Sequence, residues 1–307
     1  MSAFASPGRW RLGPATRIAV GAGALALVAA ACSSAPPPAA AGHSSMPMPE
    51  SSKSVPMPSS SMSMGEGMLP MGAEHMHIAI VSPAGTTVTG NSLAVQVRVT
   101  GYTDTCALAG KHVMGMEATT TGHYHLLLDG ALVNMFCTPS AVVSLQNVKP
   151  GTHTLTAVPA LDDHAEVTHN AHSVMFDYAP ATPLPALTGV TTTGTPAITI
   201  LSPKQGATVS GSFTVTVQVT NLRVSCALFG KPPLHGYGHW HLNLDTATGG
   251  MMGMGGMMGM SCTNTIQAST AGLTPGSTHT LIALLVDNEH APLMPLIAAR
   301  VTVRIGK

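Results

Sequence analysis

Two copies of one sequence pattern fill the chain from about residue 77 onward. The segment "IVSPAGTTVTGNSLAVQVRVTG" at 80–101 matches "ILSPKQGATVSGSFTVTVQVTN" at 200–221, and later segments match in the same order. A period of about 120 residues indicates a duplicated domain, because solenoid repeats are much shorter. We therefore expect two domains of one fold. The later matching segments are "CALAGK" with "CALFGK", "GHYHLLLD" with "GHWHLNLD", and "VKPGTHTL" with "LTPGSTHTL".

Both copies have the residue pattern of β-strands. Valines alternate with polar residues at 95, 97 and 99, and again at 215, 217 and 219, which predicts strands with one buried face. Gly and Pro punctuate runs of strand length. The pattern predicts an all-β chain with two tandem β-sandwich domains. The opening "SPKQGATVSG" and the valines after it resemble the first strands of bacterial immunoglobulin-like domains, which implies an immunoglobulin-like sandwich for each copy.

Composition divides the rest of the chain. A stretch rich in Met, Pro and Ser cannot bury enough apolar surface to offset its ordering entropy, so we expect a disordered tether before the repeats. Such a tether would hold the repeats away from the membrane. The predicted segments are a signal peptide at 1–31, the tether at 32–76, repeat 1 at 77–180, a linker at 181–196 and repeat 2 at 197–307.

The N-terminus is typical of an export signal. Three arginines precede the apolar run 18–31, which is shorter than the roughly 20 residues of a membrane span but fits a signal peptide. The run ends in "LVAAAC", which resembles the lipobox of bacterial lipoproteins, although Ala29 stands where Leu or Val is usual. The resemblance implies lipidation of Cys32 and an extracytoplasmic protein anchored to the cell membrane, on its periplasmic side or at the cell surface. An ordinary cleaved signal with an incidental cysteine is the alternative.

The other four cysteines fall at matching places in the two repeats. An exported chain meets an oxidising compartment, which favours disulfides. The simplest pairing is within repeats, Cys106 with Cys137 and Cys226 with Cys262. Thiolate metal ligands are the alternative, but such cysteines usually come as closely spaced C-x-x-C pairs.

The matching segments "GHYHLLLD" and "GHWHLNLD" predict strands with a histidine face. Side chains alternate between the two faces of a strand. An aromatic residue and two leucines therefore share the inner face, while two histidines lie on the outer face. Imidazoles at i and i+2 can reach a single metal ion, and neutral imidazole suits copper, zinc and nickel. The four histidines are His123 and His125 in repeat 1 and His239 and His241 in repeat 2.

A third ligand must come from a neighbouring strand or loop. The "PG-x-HTL" segments offer one candidate in each copy, a histidine 11 positions further along offers another, and repeat 2 has an extra histidine just before its strand. The alternative to a metal site is that these histidines belong to a solvated strand surface or hydrogen-bond nearby loops. The candidates are His153 and His164 in repeat 1, and His235, His279 and His290 in repeat 2.

The same segments resemble an uncharacterised family of exported bacterial domains with a "GHHHLLID"-like strand and a later "PG-x-HTL…H". The resemblance covers most of both repeats. It implies the fold but no activity. This chain departs from the family pattern at Tyr124 and Trp240, which replace the middle histidine, and in its added cysteines.

Methionine is concentrated in two places, the tether and the run "MMGMGGMMGM" at 251–260. We predict that this run is a loop insertion in repeat 2. Thioether sulfur is a soft ligand that favours Cu(I), and exported Met-rich tracts resemble those of bacterial copper-handling proteins. Alternatives are an adaptable contact surface, an oxidant sink or low-complexity drift. The candidate ligands in the run are Met251, Met252, Met254, Met257, Met258 and Met260.

These features predict a membrane-tethered, non-catalytic copper-binding protein that buffers, sequesters or transfers copper. Its partners would be the membrane, through the lipid anchor, and another envelope protein or a copper donor or acceptor. The alternative is an immunoglobulin-like interaction module of the cell envelope with no metal role. Charged residues make up only 8% of the chain and the net charge is zero, which argues against nucleic-acid binding. We predict no enzyme, because no G-x-S-x-G or P-loop motif occurs.

Overall fold

The computed structural model describes residues 69–111, 119–247 and 256–307. The predicted signal peptide, Cys32 and the tether up to residue 68 lie outside the described residues, as do Met251, Met252 and Met254. The last part of the predicted tether is ordered: a short 3-10 helix spans Ala73–His75, and the buried Met76 packs with Leu161 and Val167 of repeat 1.

The described residues of repeat 1 form nine strands in two sheets. One sheet has the order β1-β3-β7, and the other has the order β2-β9-β8-β5-β4 with β6 paired to β5. The strands are β1 (His77–Ser82), β2 (Thr87–Val88), β3 (Ser92–Thr100), β4 (Thr103–Asp104), β5 (Thr121–Leu128), β6 (Ala131–Phe136), β7 (Ser140–Ser144), β8 (Gly151–Ala160) and β9 (His172–Tyr178).

Repeat 2 has the same topology, strand for strand. Its sheets have the orders β10-β12-β16 and β11-β18-β17-β14-β13, with β15 paired to β14. The strands are β10 (Ala197–Ser202), β11 (Ala207–Val209), β12 (Ser212–Thr220), β13 (Arg223–Val224), β14 (Tyr237–Leu244), β15 (Met257–Ser261), β16 (Thr265–Ser269), β17 (Thr278–Val286) and β18 (Ala298–Ile305).

In each repeat the two sheets enclose one apolar core. In repeat 1, Val95 on β3 and Tyr124 on β5 belong to the same buried cluster, so side chains from both sheets meet in it. In repeat 2, Val215 on β12 and Trp240 on β14 do the same. The prediction of two tandem immunoglobulin-like β-sandwiches is confirmed. Among the described residues no helix has the length and apolar character needed to cross a bilayer.

Both predicted disulfides are confirmed. Cys106 is bonded to Cys137, and Cys226 is bonded to Cys262. Each bridge ties the segment after β4 or β13 to the end of β6 or β15. Loops of 31 and 36 positions make each bridge worth roughly 3–4 kcal/mol in the chain-entropy model. The two bridges indicate an oxidising, extracytoplasmic compartment.

The two repeats meet through equivalent surfaces. Leu132 on β6 pairs with Leu127, and Met257 on β15 pairs with the equivalent Asn243. The ring of His164 in repeat 1 hydrogen-bonds the Met257 carbonyl, while the equivalent His290 in repeat 2 hydrogen-bonds the Leu132 carbonyl. Each repeat therefore uses the same patch against the other, as the subunits of a two-fold symmetric dimer do.

Two glycines allow this close approach. Gly110 and Gly230 hold equivalent places after the first cysteine of each repeat, and their φ angles are 75° and 66°. A Cβ on Gly110 would lie 2.5 Å from the Met257 carbonyl oxygen, and one on Gly230 would lie 2.5 Å from that of Leu132. The glycine in "CALAGK" and "CALFGK" is thus required by both the backbone conformation and the contact between repeats.

Candidate metal centre

The histidine strands are β5 and β14, and both of their faces are buried. The prediction of an inner face with an aromatic residue and leucines is confirmed, because Tyr124 and Leu126 lie in the core of repeat 1. His123 and His125 lie on the opposite face, as predicted, but the expectation that this face points outward is wrong, since they are 0% and 1% exposed. The sequence of one strand does not show what covers its second face. Here a loop of the same repeat and the other repeat cover it together.

That loop supplies the third histidine. It follows β8 in repeat 1 and β17 in repeat 2, and it carries His164 and His290. Both residues have a φ of 69°, a left-handed conformation that non-glycine residues rarely adopt. Strain of this kind costs on the order of 1–3 kcal/mol and persists where the surroundings enforce it, often at a functional site.

In repeat 1 the three ring nitrogens form a small triangle. We call His123, His125 and His164 the repeat-1 triad. His123 Nε2 lies 3.2 Å from His125 Nε2 and 3.0 Å from His164 Nδ1, and the last two atoms are 3.4 Å apart. All three side chains are at most 3% exposed.

Repeat 2 reproduces this triangle. We call His239, His241 and His290 the repeat-2 triad. His239 Nε2 lies 3.0 Å from His241 Nε2 and 2.9 Å from His290 Nδ1, and the last two atoms are 3.4 Å apart. All three side chains are 0% exposed.

These triangles match the needs of one metal ion. Tetrahedral zinc with Zn–N bonds of about 2.0–2.1 Å places its nitrogen ligands about 3.3–3.4 Å apart. The observed separations approach this value, and three side chains in each repeat offer one ligand atom apiece within 4.8 Å of one another. Each triad can therefore hold a metal ion with little rearrangement.

Proton positions in the repeat-1 triad leave lone pairs facing one another. A carbonyl oxygen only accepts hydrogen bonds. The 2.6 Å contact to the Met257 carbonyl therefore places the proton of His164 on Nε2 and leaves Nδ1 unprotonated. Glu166 Oε1 lies 2.7 Å from Nδ1 of His125, which places that proton on Nδ1 and leaves Nε2 bare. His123 can offer a hydrogen to only one of these two atoms, whereas a cation between the rings satisfies all of them.

Burial keeps the rings in the form that binds metals. Burial, and next the nearby His164 and His125, lower the pKa of His123 well below its usual value. Burial, and next the nearby His125, lower the pKa of His164 to about 3, although the hydrogen bond to the Met257 carbonyl opposes them. In repeat 2, burial lowers the pKa of His290 to about 4. Neutral imidazoles have a free lone pair, so protons do not compete with a metal ion near neutral pH.

The two triads lie near each other across the contact between repeats. Burial and His290 lower the pKa of His241 most, and His164 of the other repeat lowers it further. A small apolar cluster joins residues of both repeats at this contact and includes Met135 on β6 and Met257 on β15, with Met260 packed against it.

Two of these methionines stand beside the triads. Met135 is the cross-strand partner of His125, and Met260 is the cross-strand partner of His241. Directly opposed residues share a face, with Cβ atoms about 4.5–5.5 Å apart. Met135 carried no motif of its own, although aligning "NMFC" at 134–137 with "GMSC" at 259–262 pairs it with Met260.

Three predicted histidine ligands lie elsewhere. His153 Nδ1 is 2.7 Å from Asp129, and the equivalent His279 Nδ1 is 2.7 Å from Asp245. Each pair ties the start of β8 or β17 to the turn that ends the histidine strand. His235 is exposed and lies 2.9 Å from the Val190 carbonyl. These three histidines have structural partners and join neither triad.

The methionine run at 251–260 is in part a strand rather than a loop insertion. Its last residues form β15, which is equivalent to β6 and pairs with β14. Met257 belongs to the cluster between the repeats, whereas Met258 belongs to the sandwich core of repeat 2. The expectation of solvated thioethers fails for both, because they are 0% and 7% exposed. A Gly-Met run has no strand propensity of its own, so pairing with β14 decides its structure.

No protein-family model matches this chain, and neither does any curated protein. Similar solved structures include fibronectin(III)-like modules of CbhA from Clostridium thermocellum, with 13% identity, a TM-score of 0.23, and coverage of 74% of this chain and 94% of that one. A Corynebacterium diphtheriae protein described as membrane anchored has 9% identity, a TM-score of 0.25, and coverage of 75% and 59%. A Dscam isoform has 8% identity, a TM-score of 0.21, and coverage of 75% and 46%. The chain thus spans less than two thirds of the length of the Corynebacterium diphtheriae protein and of the Dscam isoform.

Proposed function

We propose that the protein is an extracytoplasmic, non-catalytic copper-binding protein that holds one ion in each repeat. The observation that carries the proposal is the pair of buried three-histidine triangles, with nitrogens 2.9–3.4 Å apart. Copper held in this way is sequestered and buffered outside the cytoplasm. Transfer to or from another envelope protein, and anchorage through a lipid on Cys32, belong to the same proposal.

The neighbouring methionines favour copper over zinc. Three imidazoles suit Cu, Zn and Ni alike, so the histidines do not decide the metal. A thioether is a soft ligand that favours Cu(I). Met135 and Met260 stand next to the triads on the same face of their sheets. Met135 is buried in the apolar cluster that joins the repeats, and the partly buried Met260 packs against it, so both bring soft sulfur to a place where zinc would gain nothing from it.

Burial of the triads favours storage over catalysis. A catalytic metal site keeps a coordination position open to water or substrate. All six histidines are at most 3% exposed, so neither triad offers substrate an open approach. The alternative of a metal-free interaction module is favoured by the immunoglobulin-like fold alone, and a fold of this kind hosts many functions.

Metal titration tests the proposal. The purified protein, stripped of metal with a chelator, should bind two copper ions per chain. Cu(I), measured in reductant against a chromophoric competitor, should be held more tightly than Zn(II). Binding of less than one ion per chain would contradict the proposal and leave the interaction module as the better account.

A matched pair of variants on β15 and β6 tests the role of the methionines. Leucine replaces methionine at nearly constant volume, so the cores should stay packed. The double variant Met135→Leu/Met260→Leu should lose much of its preference for Cu(I) over Zn(II). Met258→Leu, two residues from Met260 but in the sandwich core, should keep it. An unchanged preference in the double variant would leave histidine binding in place but remove the argument for copper.

A further inference from the structure

The two triads have the same histidines but different neighbours. Two residues after the third histidine, repeat 1 has Glu166 and repeat 2 has Pro292. The positions are structurally equivalent, because Glu166 forms a β-bridge with Ala160 and Pro292 forms one with the equivalent Val286. The acidic residue just before the third histidine is present in both repeats, as Asp163 and Glu289, and so makes no difference between them.

In repeat 1 the glutamate orients a ligand ring. Its Oε1 lies 2.7 Å from Nδ1 of His125, whose side chain is 1% exposed, while that of Glu166 is 26% exposed. The carboxylate accepts the Nδ1 hydrogen and so turns the Nε2 lone pair toward His123 and His164. A carboxylate behind a ligating imidazole also makes that imidazole a stronger electron donor.

In repeat 2 the equivalent ring has no such support. Nδ1 of His241 is buried and has no hydrogen-bond partner among the residues that the structure describes, and proline supplies no side-chain acceptor. When Nε2 of His241 binds a metal ion, Nδ1 must carry a hydrogen that no group accepts. Nδ1 of His123 and of the equivalent His239 lack a partner in both repeats, so binding at the repeat-2 triad leaves one more buried donor unsatisfied than binding at the repeat-1 triad. The ring of His241 also lacks the electron donation that Glu166 provides to His125.

We infer that the two triads bind copper with unequal affinity. Glu166 is the positioning residue that makes the repeat-1 triad the tighter site. Pro292 cannot play this role, so the repeat-2 triad is the weaker, exchangeable site. This inference rests on the proposed function. Partners of this kind typically change metal affinity by 10–100-fold, so we expect a gap of that size. Copper therefore occupies the repeat-1 triad first when metal is added, and it dissociates from the repeat-2 triad first when metal is removed. One chain would thus have a site that holds copper and a site that delivers it.

One further difference points the same way and needs a control. Asp162 accepts a hydrogen bond from Thr121 and precedes His164 by two residues, where repeat 2 has Asn288. This second acidic residue lies in the same loop as Glu166, so its contribution has to be separated from that of Glu166. The variant Asp162→Asn gives repeat 1 the residue of repeat 2 at this place and leaves Glu166 intact.

The test is a Cu(I) titration of the full chain against a chromophoric competitor. The wild type should show two affinities 10–100-fold apart. Glu166→Ala should lower the tight affinity to the level of the weak one, and Glu166→Gln, which keeps an acceptor without the charge, should restore part of it. Asp162→Asn should leave the gap largely intact. Pro292→Glu should tighten the weak site, a gain that a merely structural role for Glu166 does not predict.

Site assignment uses variants that remove one triad at a time. His290→Gly leaves only the repeat-1 triad, and His164→Gly leaves only the repeat-2 triad, so each affinity can be measured alone. Two equal affinities, or a tighter site in repeat 2, would overturn the inference while the proposed function stands. A chain that binds no copper would remove both.

Discussion

Copper bound per chain falls from two ions to one in His164→Gly or His290→Gly, and to none in the double variant. Each change removes one corner of a nitrogen triangle that has edges of 2.9–3.4 Å. Two imidazoles remain, and affinity at that triad should drop by at least 100-fold, since loss of even a supporting partner costs 10–100-fold. Equilibrium dialysis with metal analysis gives the stoichiometry.

Glycine is chosen because it separates loss of the site from loss of the fold. Both replaced residues have a φ of 69°, which glycine adopts without strain. The metal-free variants should therefore fold, with unchanged circular dichroism. His153→Ala/His279→Ala is the matched control, because it removes two histidines outside the triads and should still bind two ions. Two ions retained in the double glycine variant would show that copper binds elsewhere.

Copper raises the melting temperature of the wild-type protein by on the order of 10 °C for each triad. A ligand that binds only the folded state at 1,000 times its dissociation constant stabilises it by about 4 kcal/mol. The two packed repeats together fall in the range of about 150–250 residues, for which 1 kcal/mol corresponds to roughly 2–4 °C. Because the loop histidines also hydrogen-bond the opposite repeat, ordering the triads should stabilise the contact between the repeats as well.

Differential scanning calorimetry with and without copper measures this shift. A chelator should reverse it, and the variant His164→Gly/His290→Gly should show almost none of it. A shift of equal size in that double variant would assign the stabilisation to groups other than the triads.

Several parts of this architecture follow from local pattern. Alternating valines predicted β3 and β12, matched cysteines predicted both disulfides, and the H-x-H spacing predicted two of the three histidines that come together in each triad. Each of these depends on strand alternation or on the duplication, both of which can be read along a single chain.

Other parts depend on contacts between distant segments. Sequence spacing made His153 and His164 equally good candidates for the third histidine. The course of the loop after β8 brings only His164 to the ring of His123 on β5. Burial of the histidine face depends on the second repeat, which no single strand reveals. Pairing with β14, rather than composition, makes Met257 and Met258 part of a strand. Glu166 carried no motif, and its role became visible only through its contact with His125.

Copper-edge anomalous diffraction from crystals of the copper-loaded protein locates the bound ions directly. We expect two copper positions per chain, one inside each triad, with copper about 2.0 Å from three ring nitrogens. Copper found outside the triads, or no ordered copper at all, would contradict the proposed function.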